Sequence, residues 1–191
     1  IGTSIYTDSG GGHSTSGTIT STLAGKYTKI VDKCGSIYLS GTTNLDFGTS
    51  SGTDCTTPGI GGAGNTHSSR SCFYHVTHSK YKAMKWLTSN TWLTGQLTAN
   101  VNINQTCNAY WNGSTLNFFR SGGGCGNTGE IAAIFLHELG HGLDSNDGSP
   151  SGDYATGETY GDFHAAILTH DSCIGPGFLS SNCSGYGDAC T

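Results

Sequence analysis

Charge is scarce in this chain of 191 residues: 8 Lys and Arg stand against 13 Asp and Glu, 11% of all positions, for a formal net charge of −5. So little charge argues against a disordered polyelectrolyte, which needs charge repulsion to stay open. No basic run occurs, so a nucleic-acid footprint is not expected. Long apolar runs are missing as well. The longest, Ile131-Ala132-Ala133-Ile134-Phe135-Leu136, is far too short to span a bilayer. The 31 Gly follow no three-residue period, which rules out a collagen triple helix. No two Cys stand in a CxxC pair, the usual mark of a metal knuckle.

What is present fits a secreted domain. Eight Cys (Cys34, Cys55, Cys72, Cys107, Cys125, Cys173, Cys183 and Cys190) are scattered through a Gly/Ser/Thr-rich chain. An even, dispersed set of this kind favours disulfides and hence an oxidising compartment. The chain opens at Ile1 without Met, and removal of a signal peptide is the expectation. The length suits a single domain over residues 1–191, with a β- and loop-rich part to residue 68 and a second part over 69–191.

Residues 1–68 are poor in helix formers. Short β-like runs lie at Tyr27-Thr28-Lys29-Ile30-Val31 and Ser36-Ile37-Tyr38-Leu39, followed by a loop-like tract from Gly48 to Gly64. From about Arg70 to Leu87, Phe73, Val76, Lys80, Ala83, Met84 and Leu87 recur at helical spacing. Leu97, Ala99, Val101 and Ile103 alternate as in a strand. Ala109-Tyr110-Trp111 and Thr115 to Phe119 read as a hairpin about Asn112-Gly113, which Cys107 and Cys125 bracket and could staple. A helix from Thr128, its expected cap, runs to Leu143 and buries Ile131, Ile134, Phe135 and Leu136. A last helix covers about Thr156 to His170. The fold class is α+β.

His137-Glu138-Leu139-Gly140-His141 on the Thr128–Leu143 helix is an HExxH motif. Residues four apart share a helix face, so both imidazoles can reach one Zn²⁺. Glu138, offset around the helix, can take a proton from a water in the open coordination position. With this composition a chance HExxH arises in roughly one such chain in 200, which makes two idle surface histidines the weaker reading. A third ligand is still needed. Asp147 stands six residues after His141, as in the metzincin pattern, but Asp144 replaces the Gly of that pattern and the only Met, Met84, lies upstream. Glu158 is the other candidate, the last of three Glu. Asp162 follows it by one helical turn and can accept a hydrogen bond from a ligating imidazole, with His137 as the expected partner.

HELGH followed by Gly157-Glu158-Thr159-Tyr160-Gly161-Asp162 resembles the HExxH and GExxSD pair of the fungalysin and thermolysin-like metallopeptidases. Asn108-Ala109-Tyr110-Trp111-Asn112-Gly113 is similar to the NAFWNG segment upstream of the zinc helix in that group. The likeness runs in order over roughly Ser68 to Ile167. It implies a zinc endopeptidase acting on a peptide or protein substrate laid along an edge strand, with Asn108 and Ala109 as substrate-binding residues. Two departures stand out. His141 and Glu158 are closer than in that family, and the chain ends before the helical domain that carries its transition-state histidine. A further segment or chain that completes the site is one explanation. His164 and His170 read as structural or surface residues, while Tyr154, Tyr160 and Arg120 are other candidate oxyanion donors. Asp144 and Asp147, in an oxygen-rich loop with Asn146 and Asp153, are either Ca²⁺ ligands or a polar turn. His75 and His78 read as a solvated helix face or a second metal site. The alternatives to a gluzincin-like peptidase are a metzincin-like protease using Asp147 and a catalytically silent extracellular module with a structural zinc.

Overall fold

β-Branched and apolar residues over 28–32, 97–103 and 115–119 build the central sheet of the computed structural model, which describes residues 17–42, 44–48, 66–171 and 173–179. In chain order the strands are β1 (Ile19–Ser21), β2 (Thr28–Asp32), β3 (Leu39–Gly41), β4 (Leu97–Ile103), β5 (Ala109–Trp111) and β6 (Thr115–Phe119). The helices are α1 (His67–Trp86), α2 (Ala132–Asp144) and α3 (Tyr154–Thr169), with short 3-10 turns at Thr91–Thr94 and Thr128–Glu130. The main sheet runs β2-β4-β6-β5. Its first three strands are parallel, and β5 pairs antiparallel with β6 at the edge. β1 and β3 form a separate antiparallel pair.

The architecture is α+β, as the sequence suggested. Leu97, Ala99, Val101, Leu116 and Phe118 from the sheet bury against Cys72 and Val76 of α1 and Phe135, Leu136 and Leu139 of α2. Ala165 of α3 closes the same core. No helix among the described residues is long and apolar enough to cross a membrane.

A buried acid fixes the start of α1. Asp32 Oδ2 accepts from the hydroxyls of Thr66 at 2.6 Å and Ser69 at 2.7 Å. Thr66 caps the helix by accepting from the Ser69 N–H, and a negative charge at a helix N-terminus is favourable. Asp32 Oδ1 accepts from the backbone of Cys34 and from Asn102 Nδ2. Asn102 takes a left-handed φ of +56°. The β4–β6 register shifts there, so Asn102 turns inward while the expected inward residue Ile103 is only half-buried.

Several expectations about the elements need correction. The second β-like run, 36–39, contributes only Leu39 to β3. The helix that carries HExxH does not start at Thr128: a 3-10 turn capped by Asn127 comes first, Ile131 is extended, and α2 begins at Ala132. Thr128 is instead drawn to the sheet, where its hydroxyl accepts from Phe119 N–H at 2.8 Å and lies 3.0 Å from the Asn108 carbonyl. The last helix starts two residues earlier than expected, because Asp153 rather than a later residue caps it. The tract from Gly48 to Gly64 lies almost wholly outside the described residues.

The hairpin forms as expected, with Asn112 Oδ1 accepting from the N–H groups of Ser114 and Thr115 and Gly113 at φ +91°. Cys107 and Cys125 are joined, and Cys34 and Cys173 are each in a disulfide as well. Cys72 departs from the all-disulfide expectation: it is a free thiol with no exposed surface, packed in the core as a small apolar side chain.

Candidate metal centre

One helical turn of α2 presents His137 and His141 on the same face, and α3 crosses directly over them. The crossing is close because glycines meet. A Cβ added to Gly140 would stand 2.8 Å from the Gly161 Cα, and a Cβ on Gly161 would stand 2.9 Å from the His137 ring. The ring therefore lies in a notch on α3, and Glu158 and Asp162, one turn apart on that helix, flank it.

The Nε2 atoms of His137 and His141 approach to 2.9 Å. Glu158 Oε2 lies 3.3 Å from His137 Nε2, and Glu158 Oε1 lies 3.6 Å from His141 Nε2. These three residues are a group that can hold a metal ion. His137 Nδ1 meets Asp162 Oδ1 at 2.8 Å. With Nδ1 donating to that carboxylate, Nε2 is left as a lone pair directed at the shared point. Burial and the neighbouring His137 lower the His141 pKa, which favours the neutral imidazole a metal requires.

Glu138, next to His137 on α2, lines the same cavity and is 7% exposed. Burial pushes its carboxyl up to about 7, against the pull of His137 and of a backbone hydrogen bond from Trp111, the last residue of β5. The edge strand thus touches the acid of the motif. Asn108 and Ala109 line the cavity beside His137 and Glu138.

The remaining candidates separate clearly. Asp147 accepts from the Ser149 N–H in a tight turn, and Glu158 rather than Asp147 joins the two histidines. Asp144 accepts from the backbone and hydroxyl of Ser151. Both carboxylates serve as turn acceptors, which lends no support to calcium. His164 is occupied by the Leu136 carbonyl and the Ser79 hydroxyl, and burial lowers its pKa. Tyr160 packs with Ala83, Leu93 and Leu143. Tyr154, by contrast, is 84% exposed at the start of α3, and its hydroxyl hydrogen-bonds Glu158, whose charge raises the phenol pKa. His75 packs against Phe135 and Tyr74, and His78 lies against Tyr74. Sequence reasoning passed over Gly140, Gly161 and the Trp111 N–H, since a close backbone approach leaves no periodic signal.

No protein-family model matches the sequence, and no curated protein sequence matches it. Among solved structures the chain is similar to the precursor of protealysin, a metalloproteinase from Serratia proteamaculans, at 17% identity and a TM-score of 0.48. The match covers 79% of this chain and 45% of that one, so this chain spans less than half the length of that relative. A likeness at this level assigns no residue and no activity.

Proposed function

We propose that this chain is a secreted zinc-dependent endopeptidase. The observation that carries the reading is the meeting of His137 Nε2, His141 Nε2 and the Glu158 carboxylate beside the buried Glu138. The donor set suits zinc. Ligand atoms about 2.0–2.1 Å from a tetrahedral ion stand about 3.3 Å from one another; here the two Nε2 atoms are 2.9 Å apart and each has a Glu158 oxygen nearby, Oε2 at 3.3 Å from His137 and Oε1 at 3.6 Å from His141. Two imidazoles and one carboxylate also leave a fourth position open, as hydrolytic zinc sites do. The disulfides support an extracellular setting.

Zinc, when bound, acidifies a water and polarises the scissile carbonyl. The protein's own groups do the rest. Asp162 holds the His137 tautomer through Nδ1. An extended peptide lies along the β5 edge beside Asn108 and Ala109. Glu138 takes the proton of the attacking water on its carboxylate and passes it to the leaving amine. The Tyr154 hydroxyl, released from Glu158, donates to the developing oxyanion.

Purified chain is incubated with an unfolded protein, with and without phenanthroline, beside a Glu138→Gln variant. Wild-type cleavage should stop with the chelator. Glu138→Gln should keep its zinc and lose about 10³-fold in kcat, the middle of the range for losing a proton-transfer group. A folded, zinc-loaded chain that cleaves nothing would replace the peptidase reading with that of a structural zinc. Normal turnover by Glu138→Gln would remove the mechanism.

A further inference from the structure

The cavity beside the metal group, about 180 Å³ in volume, has walls from two distant parts of the chain. Asn108 and Ala109 line it from the edge strand and Ile174, Gly175 and Phe178 from the 174–179 segment, with Ile134, His137 and Glu138 of α2 and Asp162 of α3 completing a lining that is apolar apart from Asn108 and those three ionisable side chains. An apolar cavity of about 150 Å³ takes a benzene ring, so this space suits one aliphatic or aromatic side chain.

Residues 125–126 are one tie between the second wall and the first, beside the separate disulfide of Cys173. Phe178 N–H donates to the Gly175 carbonyl at 2.9 Å, closing a turn with Gly175 and Gly177 at positive φ. Gly126 N–H donates to the Phe178 carbonyl at 2.8 Å, and Cys125 bridges to Leu179. A Cβ on Gly126 would overlap the Gly177 carbonyl. Cys125 is in turn disulfide-bonded to Cys107, the residue directly before Asn108. Cys107 carries a left-handed φ of +60°, a strained conformation for a residue with a side chain, and it is there that the chain turns into the substrate strand. The disulfide is therefore the covalent step in a link that backbone hydrogen bonds complete, from Cys107 to Cys125 and on to residues 178–179. His137 also lines the cavity, but His137, His141 and Glu158 are carried by α2 and α3, which the disulfide does not join.

We propose that Cys107 and Cys125 are positioning residues of the cleft: their disulfide holds the Asn108–Ala109 strand and the 174–179 wall at the separation that admits one apolar side chain, and its reduction opens the cleft while sparing the metal ligands. In that reduction a dithiol passes two hydrogen atoms to the Cys107 and Cys125 sulfurs. Their S–S bond breaks as the reagent's own S–S bond forms. The identity of the ligand as a peptide side chain rests on the peptidase reading; the tether does not.

The test titrates N-acetyl-leucinamide and N-acetyl-alaninamide into the zinc-loaded chain and follows chemical shifts at Ala109, Ile174 and Phe178. The leucine probe should bind wild type more tightly than the alanine probe. A Cys107→Ala/Cys125→Ala variant should bind one zinc yet lose at least tenfold in leucine-probe affinity. Gly126→Ala, which displaces the wall with the disulfide intact, should show the same loss. On a peptide substrate KM should rise at least tenfold with kcat within threefold. Wild-type probe affinity in either folded variant overturns the proposal. If the double variant does not fold, Gly126→Ala decides. Absence of cleavage by wild type would count against the peptidase reading alone, because probe binding still decides the tether.

Discussion

Gly161 does more for the metal group than its missing side chain suggests. The His137 ring occupies the place where a Cβ would stand, 2.9 Å from both Nδ1 and Cε1 and 3.1 Å from Cγ. In Gly161→Ala the ring has to leave that notch, and with it the 2.8 Å contact to Asp162. Loss of an orienting partner of a metal-binding histidine costs about 10–100-fold in metal affinity. We expect a loss of that order in Gly161→Ala, read by competition with a chromophoric chelator, with the far-UV spectrum unchanged. Wild-type affinity would show that the ring orientation is immaterial. Tyr154→Phe separates binding from chemistry at the same site. Zinc affinity and KM should stay near wild type while kcat falls by about 10²-fold, the low end for removing an oxyanion donor. An unchanged kcat would take Tyr154 out of the mechanism.

At the scale of elements, the decisive contact is the α2–α3 crossing, and Gly140 sets its closeness. An added methyl would meet backbone at Gly161 Cα, 2.8 Å away, and the His164 Cβ at 3.2 Å. Backbone cannot rotate aside as a side chain can, so Gly140→Ala should cost about 1–3 kcal/mol in a denaturant titration. An unchanged midpoint would mean the helices separate freely. Much of this layer was legible in the sequence. The 97–103 alternation gave β4, the Asn112-Gly113 pair gave the β5–β6 hairpin, and the HExxH and GExxxD spacings placed four side chains on two facing helix turns. The exceptions share one cause. Thr128 and Asn102 have polar side chains whose partners come from distant segments, the 108 and 119 carbonyls in one case and Asp32 in the other. Periodicity tells which face of an element is apolar, but not which remote acceptor a hydroxyl or amide will find. Three-residue strands such as β1 and β3 are too short to show a period at all.

For the whole molecule, scarce charge means that a single buried ion can shape the dependence of stability on pH. Lys80 is among the largest fully buried side chains of the described residues, with no exposed surface, and its ammonium donates to the carbonyls of Tyr27 at 3.1 Å and Gly95 at 2.6 Å. It thereby pins the entry to β2 and the exit of the 91–94 turn onto α1, with the Trp92 ring 5.3 Å from its nitrogen. Burial lowers its pKa from 10.5 to about 8. Below about pH 8 the amine is charged in both states, and the desolvation cost is constant. Between about 8 and 10.5 the unfolded chain keeps a proton that the folded chain has lost, so stability rises with pH. At about 1.4 kcal/mol per pH unit, the rise amounts to about 3 kcal/mol across that window. Cys72, whose thiol burial pushes well above its ordinary pKa, stays protonated there and does not attack the disulfides. Lys80→Met removes the titration and also the hydrogen bonds to the Tyr27 and Gly95 carbonyls, so it should be less stable than wild type throughout, with the gap widening from pH 8 to 10.5. Denaturant titrations of both proteins at half-unit steps measure that gap. Parallel curves would mean that Lys80 keeps its charge at no cost, its two carbonyls and the Trp92 face fully replacing water.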